Sequence, residues 1–288
     1  MRNKMLLFFM LPSLLIYGVF SFWPTLNTFF YSFTDWDGLT SEYSFIGFDH
    51  YTRLIGSDSI FHTAITNNIK FMLVVVIFQT LFSLILSLFL IKNSPVNVGL
   101  RALFFFPTIL SSVSVAFIWA YMYDPSLGLL NQLFDSIGLS TLKQNWIGNQ
   151  NIAIYSISIT QVWFHTGQMI VLFVAGLHAI PKDLYEVARI EGASRWQSFR
   201  FVTWPLLAPA TTIVIAFTTV QTFKAFDLIY AMTRGGPNYS TEILATFIYT
   251  RAFRSYEFGY ASAAAVLLMA ISALIAFLQF RLLRTERS

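Results

Sequence analysis

The chain has 288 residues, of which 56% are hydrophobic and only 11% are charged, and its mean hydropathy is +0.63. Soluble domains average about 25% charged residues, so this composition excludes a disordered chain, a coiled coil and an ordinary soluble enzyme, and it predicts an integral membrane protein. The absence of cysteine excludes disulfides and thiolate metal sites, and the net charge of +4 is not gathered in a basic run that would bind nucleic acid.

Six segments are apolar and free of charge over the roughly 20 residues that a membrane-spanning helix needs. Runs of this length without alternation of apolar and polar residues favour helices, because helical backbone satisfies its own hydrogen bonds in lipid. The predicted fold is therefore an all-α integral membrane protein, with residues 1–288 forming a single transmembrane domain. The six spans are expected near residues 5–31, 68–91, 102–123, 152–178, 206–231 and 259–281.

The distribution of lysine and arginine predicts the orientation of these spans. With six spans both termini lie on one side, which carries eleven of the eighteen basic residues and a net charge of +7, against −3 on the other side. Because cytoplasmic loops are enriched in lysine and arginine, we expect both termini to be cytoplasmic. The eleven residues are Arg2, Lys4, Lys92, Arg101, Lys182, Arg189, Arg195, Arg200, Arg281, Arg284 and Arg287.

The sequence contains no pattern that indicates catalysis. No glycine is followed by lysine, which excludes a phosphate-binding P-loop, and neither an H-E-x-x-H nor a G-x-S-x-G pattern occurs. The four histidines are scattered along the chain. We therefore expect no enzymatic activity, no metal site and no cofactor bound by this chain.

The inner segment 179–205 is long and charged, and its pattern predicts two short helices joined by a tight bend. Pro181 suits the first turn of a helix, and Gly192 suits its C-terminal end. Ser194 and Gln197 have the spacing of a capping box, which predicts the start of a second short helix.

Pro205 is expected to end this second short helix, because proline disrupts a helix interior. From the residues alone, the helix pair has two interpretations. It could lie on the lipid headgroups, anchored by Trp196 and Trp204, or it could bind a partner in the cytoplasm.

The same segment resembles the EAA motif of permease subunits of binding-protein-dependent ABC importers. The family pattern is E-A-A, three residues, G, nine residues, then I-x-L-P. This chain has Glu186-Val187-Ala188, Gly192 and Val202–Pro205 at that spacing, with apolar residues at the departures. The resemblance implies that the segment couples the chain to a separate ATP-binding subunit. The coupling residues that it implies are Glu186, Ala188, Glu191, Gly192, Ala193 and Pro205.

Further segments resemble the carbohydrate, maltose-type branch of this family, namely Phe33–Asp37, Tyr123–Asn131 and Thr233–Pro237. The resemblance implies a type I importer permease core in the plasma or inner membrane of a bacterial cell. It also implies a second homologous permease subunit, two ATPase subunits that hold ATP and Mg, and an extracytoplasmic binding protein that delivers a carbohydrate. By the same resemblance, the chain itself would translocate its cargo by alternating access.

Polar residues within the spans indicate where cargo could pass, because polar groups in lipid are costly and often functional. Gln161, His165 and Gln168 share one face of the fourth span and suit a hydroxyl-rich, uncharged cargo. Packing between helices is the alternative explanation. The resemblance adds further pathway residues, which are Thr108, Ser112, Phe164, Thr218 and Thr222.

Two charged residues near the outer end of the fifth span, Lys224 and Asp227, are expected to form an ion pair, with a gate contact as the alternative. An ion-coupled secondary sugar transporter is a rival function, but such proteins often carry acidic residues in mid-span, and these spans have none. A scaffold or receptor is a second rival. An importer of a phosphorylated polyol, such as glycerol phosphate, is a third, because Lys224 could bind the phosphate.

Overall fold

The computed structural model of the chain describes the backbone of residues 2–283 and the side chains of residues 10–281. Over this range the regular secondary structure is helical, and the only β-type pairing is one isolated bridge between Thr34 and Phe45. The all-α class predicted from the sequence is therefore confirmed. Arg284, Glu286 and Arg287, three of the charges used to orient the spans, lie outside the described residues.

The α-helices are numbered in chain order, and four short segments of 3₁₀- or π-helix lie between them. The helices are α1 (Arg2–Tyr17), α2 (Trp23–Tyr31), α3 (Asp49–Gly56), α4 (Ser59–Leu90), α5 (Pro95–Phe105), α6 (Ser112–Met122), α7 (Leu129–Ser136), α8 (Ala153–His178), α9 (Lys182–Ile190), α10 (Arg195–Ser198), α11 (Trp204–Phe223), α12 (Asp227–Thr233), α13 (Leu244–Phe253) and α14 (Phe258–Leu283). The other turns are 3₁₀ at Phe106–Ile109 and Ser140–Leu142, and π-helical at Gly18–Phe22 and Phe199–Thr203.

Four helical segments of the described chain are long and apolar enough to cross a membrane. They are α4, α8, the continuous helix Arg195–Phe223 and α14, and they correspond to the second, fourth, fifth and sixth predicted spans. A fifth crossing results if α5 and α6 are counted as one broken span. The first predicted span, 5–31, falls on the helical backbone of α1 and α2, of which the side chains before residue 10 are not described.

The third predicted span, 102–123, was expected to be one helix, and this is wrong. The helical axis turns by 99° between the segments Pro95–Ile109 and Ser112–Met122. Leu110 and Ser111 have extended backbone angles at the turn. Pro107 lies in the preceding 3₁₀ turn, and its missing N–H weakens the helix at this point.

The prediction that Pro205 ends a short helix is also wrong, because the helix runs on from Arg195 to Phe223. A π-helical turn precedes the proline, and the Trp204 N–H donates to the Phe199 carbonyl. This π-helical bond shifts the hydrogen-bond register directly before Pro205, so the helix continues past the residue that provides no N–H. The fifth span also ends eight residues earlier than predicted, since the chain leaves the helix at Lys224 and re-forms α12 at Asp227.

The chain packs as two units. The first contains the residues up to His62 together with Leu244–Ile271. In its core, Arg251 and the Tyr260 hydroxyl both contact Oδ2 of Asp58, at 3.2 and 2.7 Å. The Asp58 side chain is only 7% exposed, so this carboxylate joins the N-terminal part of the unit to α13 and α14.

The second unit contains Thr63–Ile243 and the last helix from Ser272 onward, and α4, α8 and α11 form its core. The helices α8 and α11 approach closely at Gly176, where an added Cβ would lie 2.5 Å from that of Ala210. The cluster that fills the space between the three helices is buried and apolar. Its members are Leu84, Met169, Phe173, Leu177, Ile180, Leu207 and Val214, which we call the inner apolar cluster.

Candidate functional site

A cavity of about 290 Å³ lies in the second unit, where α6, α8, α11 and α12 meet. Two interruptions of helices lie beside this cavity, the bend at Leu110–Ser111 and the break after α11. Ser112, which follows the bend, and Lys224, which begins the break, both line the cavity. Its walls combine rings, amides, an imidazole and two charged groups. The lining residues are Ser112, Gln161, Phe164, His165, Phe217, Val220, Gln221, Lys224, Ala225, Phe226, Asp227 and Leu228.

The polar wall of the cavity comes from α8 and α11. Gln161 and His165 are one helical turn apart on α8, and Gln221 faces them from α11. Nδ1 of His165 and Oε1 of Gln221 are buried and have no hydrogen-bond partner among the described residues. Because a buried polar atom without a partner is costly, these two atoms mark the cavity as a place where a polar ligand or water would be stabilised.

The apolar wall of the cavity is formed by aromatic rings. Phe164 is 2% exposed, and its ring centroid lies 4.1 Å from that of His165. Phe217 and Phe226 complete this side. A site with ring faces beside amide and imidazole groups can bind a flat, hydroxyl-bearing molecule, since rings cover its apolar face and the polar groups bind its hydroxyls.

Two of the predicted pathway residues, Thr108 and Gln168, form hydrogen bonds with residues that line the cavity. The Thr108 hydroxyl donates to the Phe164 carbonyl at 2.9 Å and so ties the 3₁₀ turn to α8. Oε1 of Gln168 accepts a hydrogen bond of 3.4 Å from Nε2 of Gln221. Both contacts hold lining residues in place, and neither Thr108 nor Gln168 lines the cavity itself.

Two other predicted residues, Thr218 and Thr222, are fully buried in helix contacts away from the lining. The Thr218 hydroxyl accepts from Nε2 of Gln79 on α4 at 3.4 Å. The Thr222 hydroxyl donates to the Thr219 carbonyl at 2.7 Å. The structure thus brings together Ser112, Gln161, Phe164 and His165 and leaves these two threonines outside the cavity.

The predicted ion pair between Lys224 and Asp227 does not form, because their charged atoms are not within 4.0 Å of each other. The break between α11 and α12 separates the two residues, which the sequence had placed on one continuous helix. Both side chains are exposed and line the cavity. The cavity therefore presents one positive and one negative group at its rim.

Two residues that line or shape the cavity, Gln221 and Gly167, were not predicted from the sequence. Gln221 is an amide in an apolar span, and that signal was available in the sequence. Gly167 lies on α8, where an added Cβ would overlap the Phe104 carbonyl oxygen. This close approach of α5 to α8 positions the bend beside the cavity, and a glycine within a helix is the only sequence sign of it.

The inner segment has the predicted bend between α9 and α10. Gly192 has φ +76°, its N–H donates to the Arg189 carbonyl, and the Ala193 N–H donates to the Ala188 carbonyl. These two bonds are a Schellman motif, which favours glycine at the left-handed position. The predicted capping box of Ser194 and Gln197 is confirmed, with both reciprocal hydrogen bonds present.

The residues expected to couple to an ATPase are mostly on the surface of this segment. Glu186, Glu191, Gly192 and Pro205 are exposed, whereas Ala188 and Ala193 are half-buried. Ile190 is 85% exposed although it is a large apolar residue. The segment therefore presents two carboxylates and an apolar side chain on a rigid, capped turn.

Comparisons with known proteins agree with this architecture. A family model for the inner membrane component of binding-protein-dependent transport systems matches residues 71–287. A probable ABC transporter permease protein of Pyrococcus horikoshii is 38% identical over 284 residues, covering 98% of this chain and 97% of that protein. The multiple sugar-binding transport system permease protein of Streptococcus mutans is 32% identical over 274 residues, covering 95% and 93%.

Among solved structures, a chain in the crystal structure of a bacterial alginate ABC transporter, in complex with its alginate pentasaccharide-bound periplasmic protein, superposes with a TM-score of 0.84. It is 20% identical, and the match covers 98% of this chain and 95% of that chain, so the likeness concerns the fold. The matched family model extends over most of the chain and includes the inner segment and the cavity. This chain therefore belongs to the family of inner membrane components of binding-protein-dependent transport systems, which confirms the resemblance based on the EAA-like segment.

Proposed function

We propose that the chain is the permease subunit of an ATP-driven importer that moves a mono- or oligosaccharide through the membrane by alternating access. The observation that carries this proposal is the cavity lined by Gln161, His165 and Gln221 beside Phe164. Its volume of about 290 Å³ is at the small end of ligand pockets, which suits one sugar unit at a time. Amides and imidazole exchange hydrogen bonds with hydroxyl groups in either direction.

The proposed topology has six spans with both termini in the cytoplasm. In this arrangement α1 and α2 together form the first span, and α5 and α6 form a broken third span. The excess of basic residues on the side that contains the inner segment supports it. Non-helical backbone at membrane depth requires a protein or water-filled surrounding, and the cavity beside the bend provides one.

The proposed assembly contains a second homologous permease, two ATPase subunits and an extracytoplasmic binding protein. ATP and Mg would be held by the ATPase subunits, which would receive the capped turn around Gly192. The names of the Streptococcus mutans relative and of the alginate transporter support a carbohydrate as cargo. The exposed Glu186 and Glu191 offer charged contacts for the docking surface.

A phosphorylated polyol is a second candidate cargo, and one observation favours it. The Lys224 side chain lines the cavity and is not ion-paired with Asp227. An ammonium group at this position could bind a phosphate. Transport assays therefore need to include an anionic cargo beside the neutral sugars.

The proposal is tested with the complete importer in lipid vesicles that contain ATP. We expect ATP-dependent uptake of a neutral labelled sugar from a panel of mono-, di- and trisaccharides, with the binding protein present. Dissipating the proton and sodium gradients should leave the initial rate unchanged. Glycerol phosphate forms the anionic arm of the panel. Uptake that follows an ion gradient and needs no ATPase subunit would contradict the proposal.

The docking role of the inner segment is tested in the same vesicles with Gly192→Val and its control, Gly192→Asn. No atom lies within 4 Å of a Cβ added at Gly192, so the φ of +76° is the obstacle to a substitution. Left-handed backbone costs a branched residue about 1–2 kcal/mol, whereas asparagine adopts it more readily. We expect about tenfold weaker binding of the ATPase subunit with valine and near-normal binding with asparagine. Equal binding by both variants would count against a rigid docking turn.

A further inference from the structure

One aromatic side chain of the helix α9, that of Tyr185, packs against the inner apolar cluster of the membrane-spanning part of the chain. Leu184 and Val187, which are one and two residues from Tyr185, are 41% and 51% exposed. Tyr185 alone among these is half-buried, and its ring packs against the inner apolar cluster. A displacement of α9 can therefore reach the spans through this ring, in addition to the chain connections at the two ends of the helix.

The Tyr185 hydroxyl continues the attachment with a polar contact. It lies 3.0 Å from the Thr203 hydroxyl, and Thr203 is 6% exposed. Thr211 and Thr212, further along the same helix, donate to carbonyls of their own preceding turn. Thr203 instead bonds across to α9, which makes it a link between two elements.

Thr203 lies at the end of the π-helical turn Phe199–Thr203, directly before α11. From there to Gln221 at the cavity, 18 residues of continuous helix span about 27 Å. A rigid helix transmits a displacement at one end to the other. The Tyr185–Thr203 contact thus joins the docking turn to the helix that lines the cavity.

We infer that Tyr185 is a positioning residue for energy coupling, which transmits movement of α9 to α11 through its hydrogen bond with Thr203. This inference rests on the proposed function of the chain as a permease driven by an ATPase. Tyr185 contacts neither the cavity nor the exposed docking residues by this bond, so its role is separate from cargo binding. Loss of this hydrogen bond should leave the binding of cargo and of the ATPase subunit intact, but α9 and α11 should then move independently of each other.

The test measures sugar taken up per ATP hydrolysed by the complete importer in vesicles, for Tyr185→Phe, Thr203→Val and the double variant. Each single variant should lower this ratio about fivefold, as expected for one hydrogen bond. The double variant should be no worse than the poorer single variant, because both remove the same bond. Thr203→Ser retains the hydroxyl and should restore the ratio.

Thr211→Val is the matched control, since its hydroxyl bonds only within α11, and its ratio should stay normal. An unchanged ratio in both single variants would overturn the inference, as would losses that multiply in the double variant. ATPase-subunit binding and thermal stability are measured alongside to show that each variant is folded and assembled. Should the wild-type importer take up no sugar with ATP, the proposed function itself fails, which is a different result.

Discussion

At the scale of single residues, one glycine decides how closely two helices can pack beside the cavity. The backbone of α5 lies so near to Gly167 that any side chain there would overlap the Phe104 carbonyl and approach the Phe105 nitrogen. The same close packing allows the Thr108 hydroxyl to reach the Phe164 carbonyl. The shape of the cavity wall thus depends on a residue with no polar group of its own.

Replacing this glycine should destabilise the protein. We expect Gly167→Ala to cost about 1–3 kcal/mol, because the helices must separate to admit one methyl group. The melting temperature of the purified protein in detergent measures this cost. Gly99→Ala on α5 is the control, since no atom lies within 4 Å of its added Cβ. Alanine there should be neutral or stabilise by up to about 1 kcal/mol, and a Gly167→Ala protein as stable as this control would refute the packing argument.

Residues with a distinctive polar group were easier to predict from the sequence than residues that matter for the space they leave. Gln161 and His165 were predicted because polar groups in an apolar span stand out, and both line the cavity, whereas Gln168, predicted on the same grounds, lies behind it. Gly167 was missed because the space that it leaves is defined by α5, which is far away in sequence. Thr218 and Thr222 look like lining residues in the sequence, but helical rotation directs them into neighbouring contacts.

At the scale of elements, the carboxylate of Asp58 joins three segments of the first unit. Burial acts to raise its pKa, but hydrogen bonds from the Tyr260 hydroxyl and the Phe61 N–H, together with the charge of Arg251, hold the pKa below its ordinary value of 3.8. A carboxylate with a lowered pKa stabilises the folded state above its ordinary pKa. That stabilisation is lost as the pH falls through the lowered value.

A pH series tests this network. The wild type should melt at a higher temperature than Asp58→Asn at pH 6, and the difference should shrink as the pH falls below 3.8 toward and through the lowered pKa. Glu42→Gln, which alters an exposed carboxylate of the same unit, should show little difference at any pH. A constant gap between wild type and Asp58→Asn down to the lowest pH would show that ionisation of Asp58 is not the cause.

The existence of helices was easier to predict than their interruptions. The predicted span 152–178 agrees with α8 almost to the residue, since an uninterrupted apolar run has one stable form in lipid. The bend at Leu110–Ser111 follows Pro107, and the break after α11 begins at Lys224, but such residues are compatible with a continuous helix as well as with an interrupted one. An apolar run can be interrupted only where neighbouring helices bind the backbone N–H and C=O groups that the interruption leaves unpaired. A short stretch of sequence does not contain this information.

At the scale of the whole molecule, the chain suits a direct test of its orientation, because it contains no cysteine. Single cysteines at Lys182, at the start of α9, and at Gln150, before α8, place reactive thiols at opposite ends of one span. Both positions are exposed. We expect a membrane-impermeant maleimide added to intact cells to label Gln150→Cys only.

After the membrane is permeabilised, Lys182→Cys should be labelled as well, and the unsubstituted chain provides the blank. Labelling of Lys182→Cys in intact cells would reverse the proposed topology and remove the basis for a cytoplasmic docking turn. Both variants carry their change outside the spans, so their expression levels should match. The result bears on the charge asymmetry of the loops, which is the only sequence evidence for orientation.

The inner apolar cluster has a consequence for how the cell keeps its electrochemical gradient. Met169 lies one helical turn beyond His165 toward α9, and the cluster continues from there to Leu207 and Ile180. In the proposed topology, water in the cavity would shorten the insulating path for protons across the bilayer, so the rest of that path must stay dry. In the proposed topology these packed side chains would form that insulation, and we expect a charged residue at Val214, which is fully buried, to make the membrane leak protons even without cargo.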